Sequence, residues 1–140
     1  MWADGFTNTT SVDYSEVVIS KMHMLYAADP QLAKSFVVGD CRDMPNFGDG
    51  EFDVILDKGT LDAILCGADS NKHQNTMLTE LNRLLKRGGV FVLITYGQPS
   101  SRLPYLEKAK YCWSVEHRAL GPTRFIYSAK RLKSHTSAND

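Results

Sequence analysis

Four short runs that read as strands, each closed by a turn that carries Asp or Gly, constrain this chain more than any other feature of its sequence. They lie over 9–12, ending at Asp13; over 35–38, closed by Gly39 and Asp40; over 52–56, closed by Asp57, Lys58 and Gly59; and over 90–95, broken by Gly97, Gln98 and Pro99. Runs this short, bounded by turn residues, suit strands better than helices. Segments with apolar residues at helical spacing lie between them, and strand alternating with helix argues for parallel strands joined through crossover helices. The expected fold class is therefore α/β, with a doubly wound, mostly parallel sheet.

The intervening segments carry their own start and stop signals. Ser15 is placed to cap a helix running to about residue 28, with Val18, Met22, Leu25 and Tyr26 facing a sheet and Asp29-Pro30 as the stop. A stronger helix is expected over 72–86, where Met77, Leu78, Leu81, Leu84 and Leu85 form a stripe. Arg83, Lys86 and Arg87 then suit its negative C-terminal end, and Gly88-Gly89 terminates it. The stretch 44–50 holds Pro, Asn, Asp and two glycines and reads as a surface connection. A short helix over 101–108 precedes two strands, 112–119 and 124–129, whose four-residue connection makes them an antiparallel pair. One domain over 1–130 and a polar tail over 131–140 are expected.

Composition narrows the classes of function. Lys plus Arg equals Asp plus Glu at 16 each, so no net field draws the chain to nucleic acid or to an anionic membrane. The longest apolar run, 90–94, is far shorter than a spanning helix needs. Three cysteines, Cys41, Cys66 and Cys112, form no Cys-x-x-Cys pair and have no His at ligand spacing, which favours a reducing, cytoplasmic setting. His23, His73, His117 and His135 are dispersed, so no metal site is expected.

Parallel strands that each end in a carboxylate put those carboxylates on one edge of the sheet, where open α/β folds bind ligands. The residues over 5–15, Gly39-Asp40-Cys41-Arg42-Asp43-Met44-Pro45, the run from Phe52 through Asp57-Lys58-Gly59-Thr60-Leu61-Asp62-Ala63, and Leu84-Leu85-Lys86-Arg87-Gly88-Gly89 carry a resemblance. In this order and spacing the chain resembles class I S-adenosylmethionine-dependent methyltransferases over nearly its whole length. The run from Asp57 to Ala63, with Tyr111-Cys112-Trp113-Ser114, is similar to the group that methylates lysines of translation elongation factor one-alpha.

The resemblance implies S-adenosyl-L-methionine as cofactor and a protein substrate, with an elongation factor as the candidate. Asp13 would accept hydrogen bonds from the ribose hydroxyls, with helix capping as its competing role. Tyr14 would border the adenine or simply pack. Asp40 would accept from the adenine amino group, with the Cys41 backbone N–H on a ring nitrogen, or would be a turn residue. Asp57 and Lys58 would lie nearest the chemistry, where Asp57 orients or deprotonates a lysine acceptor; the alternative is a helix cap beside a solvated lysine. Tyr111 and Trp113 are expected in the core rather than in a substrate surface.

The resemblance also implies that the pattern joins the family after its first strand and glycine-rich turn. Three functions compete: a protein-lysine methyltransferase, a non-catalytic module binding a partner through an exposed sheet edge, and a nicotinamide-dependent oxidoreductase. The run after Asp57 and the terminal antiparallel pair fit the oxidoreductase worst.

Overall fold

The computed structural model describes residues 2–133 and divides into two compact units, one up to Met44 and one from Pro45 onward. From residue 134 the expected polar tail lies outside the described residues, as does His135.

In the N-terminal unit, β1 (Ser11–Asp13) and β2 (Phe36–Val38) pair in parallel, with Asp13 opposite Val38. Helix α1 (Glu16–Leu25) starts where Ser15 predicts, because the Ser15 Oγ accepts the Val18 N–H at 3.3 Å. Its inward stripe is turned slightly from expectation: Ile19 is buried and Met22 half-buried, whereas Val18 and Leu25 are exposed. Tyr26 does face inward, stacked on Phe36 with ring centroids 5.5 Å apart. Between them His23 Nε2 donates to the Phe36 carbonyl at 2.8 Å, so the helix addresses β2 along residues 19, 22, 23 and 26. Asp29-Pro30 stops α1 and also starts α2 (Pro30–Lys34), with Asp29 accepting the Leu32 N–H and Pro30 in the first turn, where a missing N–H costs nothing. Replacing Ser15 with Ala is expected to cost about 1 kcal/mol, read as a lower thermal midpoint and faster amide exchange at Val18.

The C-terminal unit holds a four-stranded sheet in the order β3-β4-β6-β5: β3 (Phe52–Lys58), β4 (Leu85–Thr95), β5 (Trp113–Leu120) and β6 (Arg124–Arg131). β3 and β4 are parallel, and β6 is antiparallel to both β4 and β5, as the short connection requires. The crossover from β3 to β4 is made by α3 (Thr60–Leu65) and α4 (Ser70–Leu84), and α5 (Pro99–Leu106) follows β4. The parallel strands with crossover helices make the fold a mixed, Rossmann-like α/β architecture with the expected antiparallel pair at its C-terminal end.

One boundary differs from the sequence reading. The fourth helix ends at Leu84, and Leu85 to Thr95 form one strand, so Lys86, Arg87, Gly88 and Gly89 do not close a helix. Leu85 pairs with Phe52 and Val90 with Val54, so residues 86–89 bulge out against Asp53 alone. The glycines serve that bulge. Gly88 has φ +85°, and a Cβ on Gly89 would lie 2.8 Å from the Asp53 carbonyl oxygen.

The sheet has two unlike faces. Phe91, Leu93, Tyr127, Ala129 and Trp113 are buried, together with the α4 stripe Met77, Leu78, Leu81 and Leu84. Tyr111 and Trp113 stack at 4.7 Å within this core, and Trp113 Nε1 donates to Asn82 of α4, so both aromatics are packing residues as expected. On the other face Val54 and Leu56 of β3 are 60% and 50% exposed, and β3 is also an edge strand of this sheet.

Candidate functional site

Parallel pairing brings four of the expected residues to one edge of the N-terminal unit. Asp13 closes β1, and Asp40 lies just past the end of the adjacent β2, where the Gly39 N–H donates to the Asp13 carbonyl at 3.0 Å. A Cβ on Gly39 would approach Val12 Cγ1 to 2.9 Å, so the chain between the two acids fits only glycine without a shift. The half-buried Asp13 is not the helix cap, a role Ser15 fills. Its Oδ1 accepts the Ser15 N–H at 2.8 Å, while its Oδ2 has no partner among the described residues. Tyr14 beside it is 83% exposed.

Asp40 is more committed. Arg42 donates to both of its oxygens through Nε and Nη2 at 2.6–3.1 Å, and the Arg42 backbone N–H adds a bond of 2.9 Å. Cys41 lies between them, half-buried. An adenosyl group fits this edge in part. A carboxylate oxygen free to accept a ribose hydroxyl is present at Asp13, whereas the four bonds from Arg42 already take up about as many acceptor sites as the Asp40 carboxylate offers.

In the C-terminal unit Asp57 is buried near the end of β3, and both of its oxygens hold the start of α3, accepting the Thr60 N–H at 2.7 Å and the Leu61 N–H at 2.9 Å. Burial pushes its carboxyl above the usual range, opposed by those two hydrogen bonds and assisted by the charge of Asp62. With the folded value above the unfolded one, the native state binds more protons between the two. Stability from this group therefore falls as pH rises through that window. Titration followed by carboxyl-carbon NMR is expected to place Asp57 above 3.8, and Asp57→Asn removes that part of the slope. Lys58, next along the strand, is exposed.

Sequence reasoning missed the polar cluster at the same end of this sheet. Asp62, in the first turn of α3, accepts Arg102 Nη2 at 2.7 Å, the Tyr96 N–H at 3.1 Å and the Thr95 hydroxyl. Burial raises the Asp62 carboxyl, but the bonds from Thr95 and Arg102 outweigh it and hold it below the usual range. Arg102 Nε also reaches Thr95 Oγ1 at 3.2 Å, and Gly97 makes room: a Cβ there would sit 2.1 Å from the Arg102 guanidinium carbon. Tyr127 Oη closes the cluster by donating to the Gly97 carbonyl at 2.8 Å. Only Asp62 carried a signal in the sequence, as part of the run from Asp57 to Ala63.

Among the described residues no group of three or more His, Cys, Asp or Glu is arranged to hold a metal ion. No helix among them is long and apolar enough to cross a membrane.

Carboxylate-tipped parallel strands with crossover helices and a C-terminal antiparallel pair define the Rossmann-like class to which S-adenosylmethionine-dependent methyltransferases belong. A family profile described as "Methyltransferase domain" matches residues 1–93, and the chain belongs to that family. EEF1A lysine methyltransferase 4 of Mus musculus is 38% identical over 125 residues, covering 84% of this chain and 48% of that protein. The human mitochondrial citrate synthase-lysine N-methyltransferase is 31% identical over 126 residues, covering 82% of this chain and 52% of that protein. The chain thus spans about half the length of these relatives. Among solved structures, a SAM-dependent methyltransferase from Methanosarcina mazei superposes with a TM-score of 0.64 at 15% identity, over 89% of this chain and 82% of that one. A geranyl diphosphate methyltransferase solved with SAM gives 0.60 at 16% identity, over 86% and 67%. These two likenesses concern the fold.

Proposed function

We propose that this chain carries the adenosyl-binding and acceptor-facing strand ends of an S-adenosylmethionine-dependent protein-lysine methyltransferase. The observation that carries the reading is the pair of acids, Asp13 and Asp40, at the ends of adjacent parallel strands inside the matched family region. S-adenosylmethionine supplies an electrophilic sulfonium methyl. The residues of this chain bind and align: Asp13 Oδ2 accepts from the ribose, Asp40 and the Cys41 backbone address the adenine edge, and Tyr14 borders it.

Asp57 holds the start of α3 and directs a remaining lone pair at the incoming amine, with Lys58 lining the approach. A lysine acceptor must be neutral to attack, and a carboxylate whose proton affinity is raised by burial is a better proton acceptor than an exposed one. The bound cofactor would supply its methyl group to the amine, and Asp57 or water would take the amine proton. Protein substrates of the elongation-factor kind are the first to try, because the mouse relative is named as an EEF1A lysine methyltransferase. A cytosolic setting belongs to the same reading, since an odd set of thiols suits a reducing compartment. One relative's name places that relative in the mitochondrion, so localisation of a tagged chain is a direct check.

Calorimetry with S-adenosylmethionine and S-adenosylhomocysteine tests the core of the reading. Saturable binding is expected, weakened about 10- to 100-fold in Asp13→Ala, the worth of a charge-assisted hydrogen bond or two. A folded protein that binds neither compound at millimolar concentration rules out catalysis by this chain.

A second reading, a partner-binding module without catalysis, is favoured by one observation. β3 is an edge strand whose Val54 and Leu56 are exposed, which suits addition of an extended segment from another protein. A mass increase on mixing with a candidate partner, in the absence of cofactor binding, selects this reading; a monomer that binds cofactor selects the first.

A further inference from the structure

The end of the four-stranded sheet remote from Asp57 carries a second constellation, which methyl transfer does not use. A cavity of about 280 Å³ opens there, lined by Asp49, Gly50, Arg83, Arg87 and Arg131. We propose that it is an anion site built for a phosphate group.

Two of its three arginines are fixed in advance. Arg83 donates to both oxygens of Glu80 at 2.6 and 2.9 Å, to Asp49 Oδ1 at 2.8 Å and to the Phe47 carbonyl at 2.9 Å. Its own carbonyl accepts the Gly50 N–H at 2.8 Å, which ties the loop before β3 to the end of α4. Arg131 donates through Nη1 to the Leu85 carbonyl, leaving Nε and Nη2 without partners among the described residues. Ordering a long guanidinium side chain is a large part of what anion binding costs, and here the fold has already done it for Arg131, while Arg83, with at least four of its five N–H donors committed, contributes mainly its charge.

Arg87 is the third and has no hydrogen bond or ion pair among the described residues. It stands on the 86–89 bulge of β4, where four residues oppose Asp53. A regular strand would carry residue 87 directly into the ladder. The bulge, which Gly88 and Gly89 make sterically feasible, instead presents it at the cavity. Three guanidinium groups face one carboxylate in the lining, a surplus of two positive charges of which Glu80 offsets one. A compact anion whose oxygens match the guanidinium fork suits the one positive charge that remains, and the charged lining suits no apolar ligand.

Free phosphate and a phosphate monoester on a protein share this chemistry, and a titration separates them. Amide-resolved NMR of the whole chain with inorganic phosphate, and separately with O-phosphoserine, is run at constant ionic strength against chloride. Saturable shifts centred on residues 83, 87 and 131 are expected, with affinity reduced about tenfold in Arg87→Gln, which loses a charge-assisted bond. Lys21→Gln, which removes a charge from the N-terminal unit, is expected to change nothing. Tighter binding of O-phosphoserine identifies the monoester as ligand, and equal or weaker binding identifies the free ion. The proposal is overturned if neither ligand saturates in the millimolar range, or if Lys21→Gln weakens binding as much as Arg87→Gln. The side chain of Arg87 is exposed, so its variant is expected to keep the parental melting midpoint. Should it not, Arg131→Gln supplies the same comparison. The result does not depend on whether the chain binds cofactor.

Discussion

Asp62→Ala is expected to lower stability by about 3 kcal/mol, a large fraction of the roughly 5–15 kcal/mol by which an ordinary domain is stable. Asp62 and Arg102 are 18% and 12% exposed at the side chain, so removing the carboxylate strands a nearly buried guanidinium with Thr95 Oγ1 as its main remaining acceptor. It also frees the Tyr96 N–H and the Thr95 hydroxyl at once. Arg102→Ala is expected to cost less, because Asp62 keeps two of its three donors. The measurement is urea denaturation of the two single variants and the double. If the pair acts as a unit, the double variant is clearly more stable than the sum of the single losses predicts. Equal losses that add would show that the cluster is not coupled.

Phe91→Ala is expected to cost about 3–5 kcal/mol. Phe91 is fully buried in the middle of β4, between Ile55 of β3 and Ala129 of β6, with its ring 5.7 Å from that of Trp113. The informative control is Val92→Ala, one residue on and on the opposite face, where Leu56 of the neighbouring strand is exposed. About 1 kcal/mol is expected there, since fewer contacts are lost. Similar losses at the two positions would contradict the two-faced sheet. Thermal and urea unfolding of both variants decides.

Most of the strands were legible because they are short runs that meet a turn, and the helix over 70–84 because its stripe from Met77 to Leu84 recurs at helical spacing. What escaped did so for identifiable reasons. Helix α3 has six residues, too few to show a period, and it is set by the two oxygens of Asp57 rather than by a capping residue of its own. Lys86-Arg87-Gly88-Gly89 has the composition of a helix terminus, yet pairing of Leu85 with Phe52 places it in a strand. Only the partner strand, over thirty positions earlier, carries that information. The helix face over 18–26 was misplaced by one step because valine and leucine outrank histidine in any apolar stripe. His23, although exposed, nevertheless reaches a carbonyl of β2.

The candidate site divides along the same line. Asp13 and Asp40 are visible because strand-end acids are a local pattern. The Asp62, Thr95 and Arg102 cluster joins residues up to 40 positions apart and has no local signature. The bonds from Arg42 to Asp40 were equally hidden, although they span two residues, because the sequence does not say which donor a carboxylate will take, whereas the bonds from Thr60 and Leu61 to Asp57 are the helix cap weighed as its alternative role.

The strand order β3-β4-β6-β5 also sets a timetable for assembly. The β5–β6 ribbon closes across the short turn after Leu120 and can zip within microseconds, whereas β3 meets β4 only after two helices have been laid across the sheet. Docking of β3 is therefore the late event in forming the C-terminal unit. The peptide groups around Asp57 are the ones whose protection from exchange arrives last.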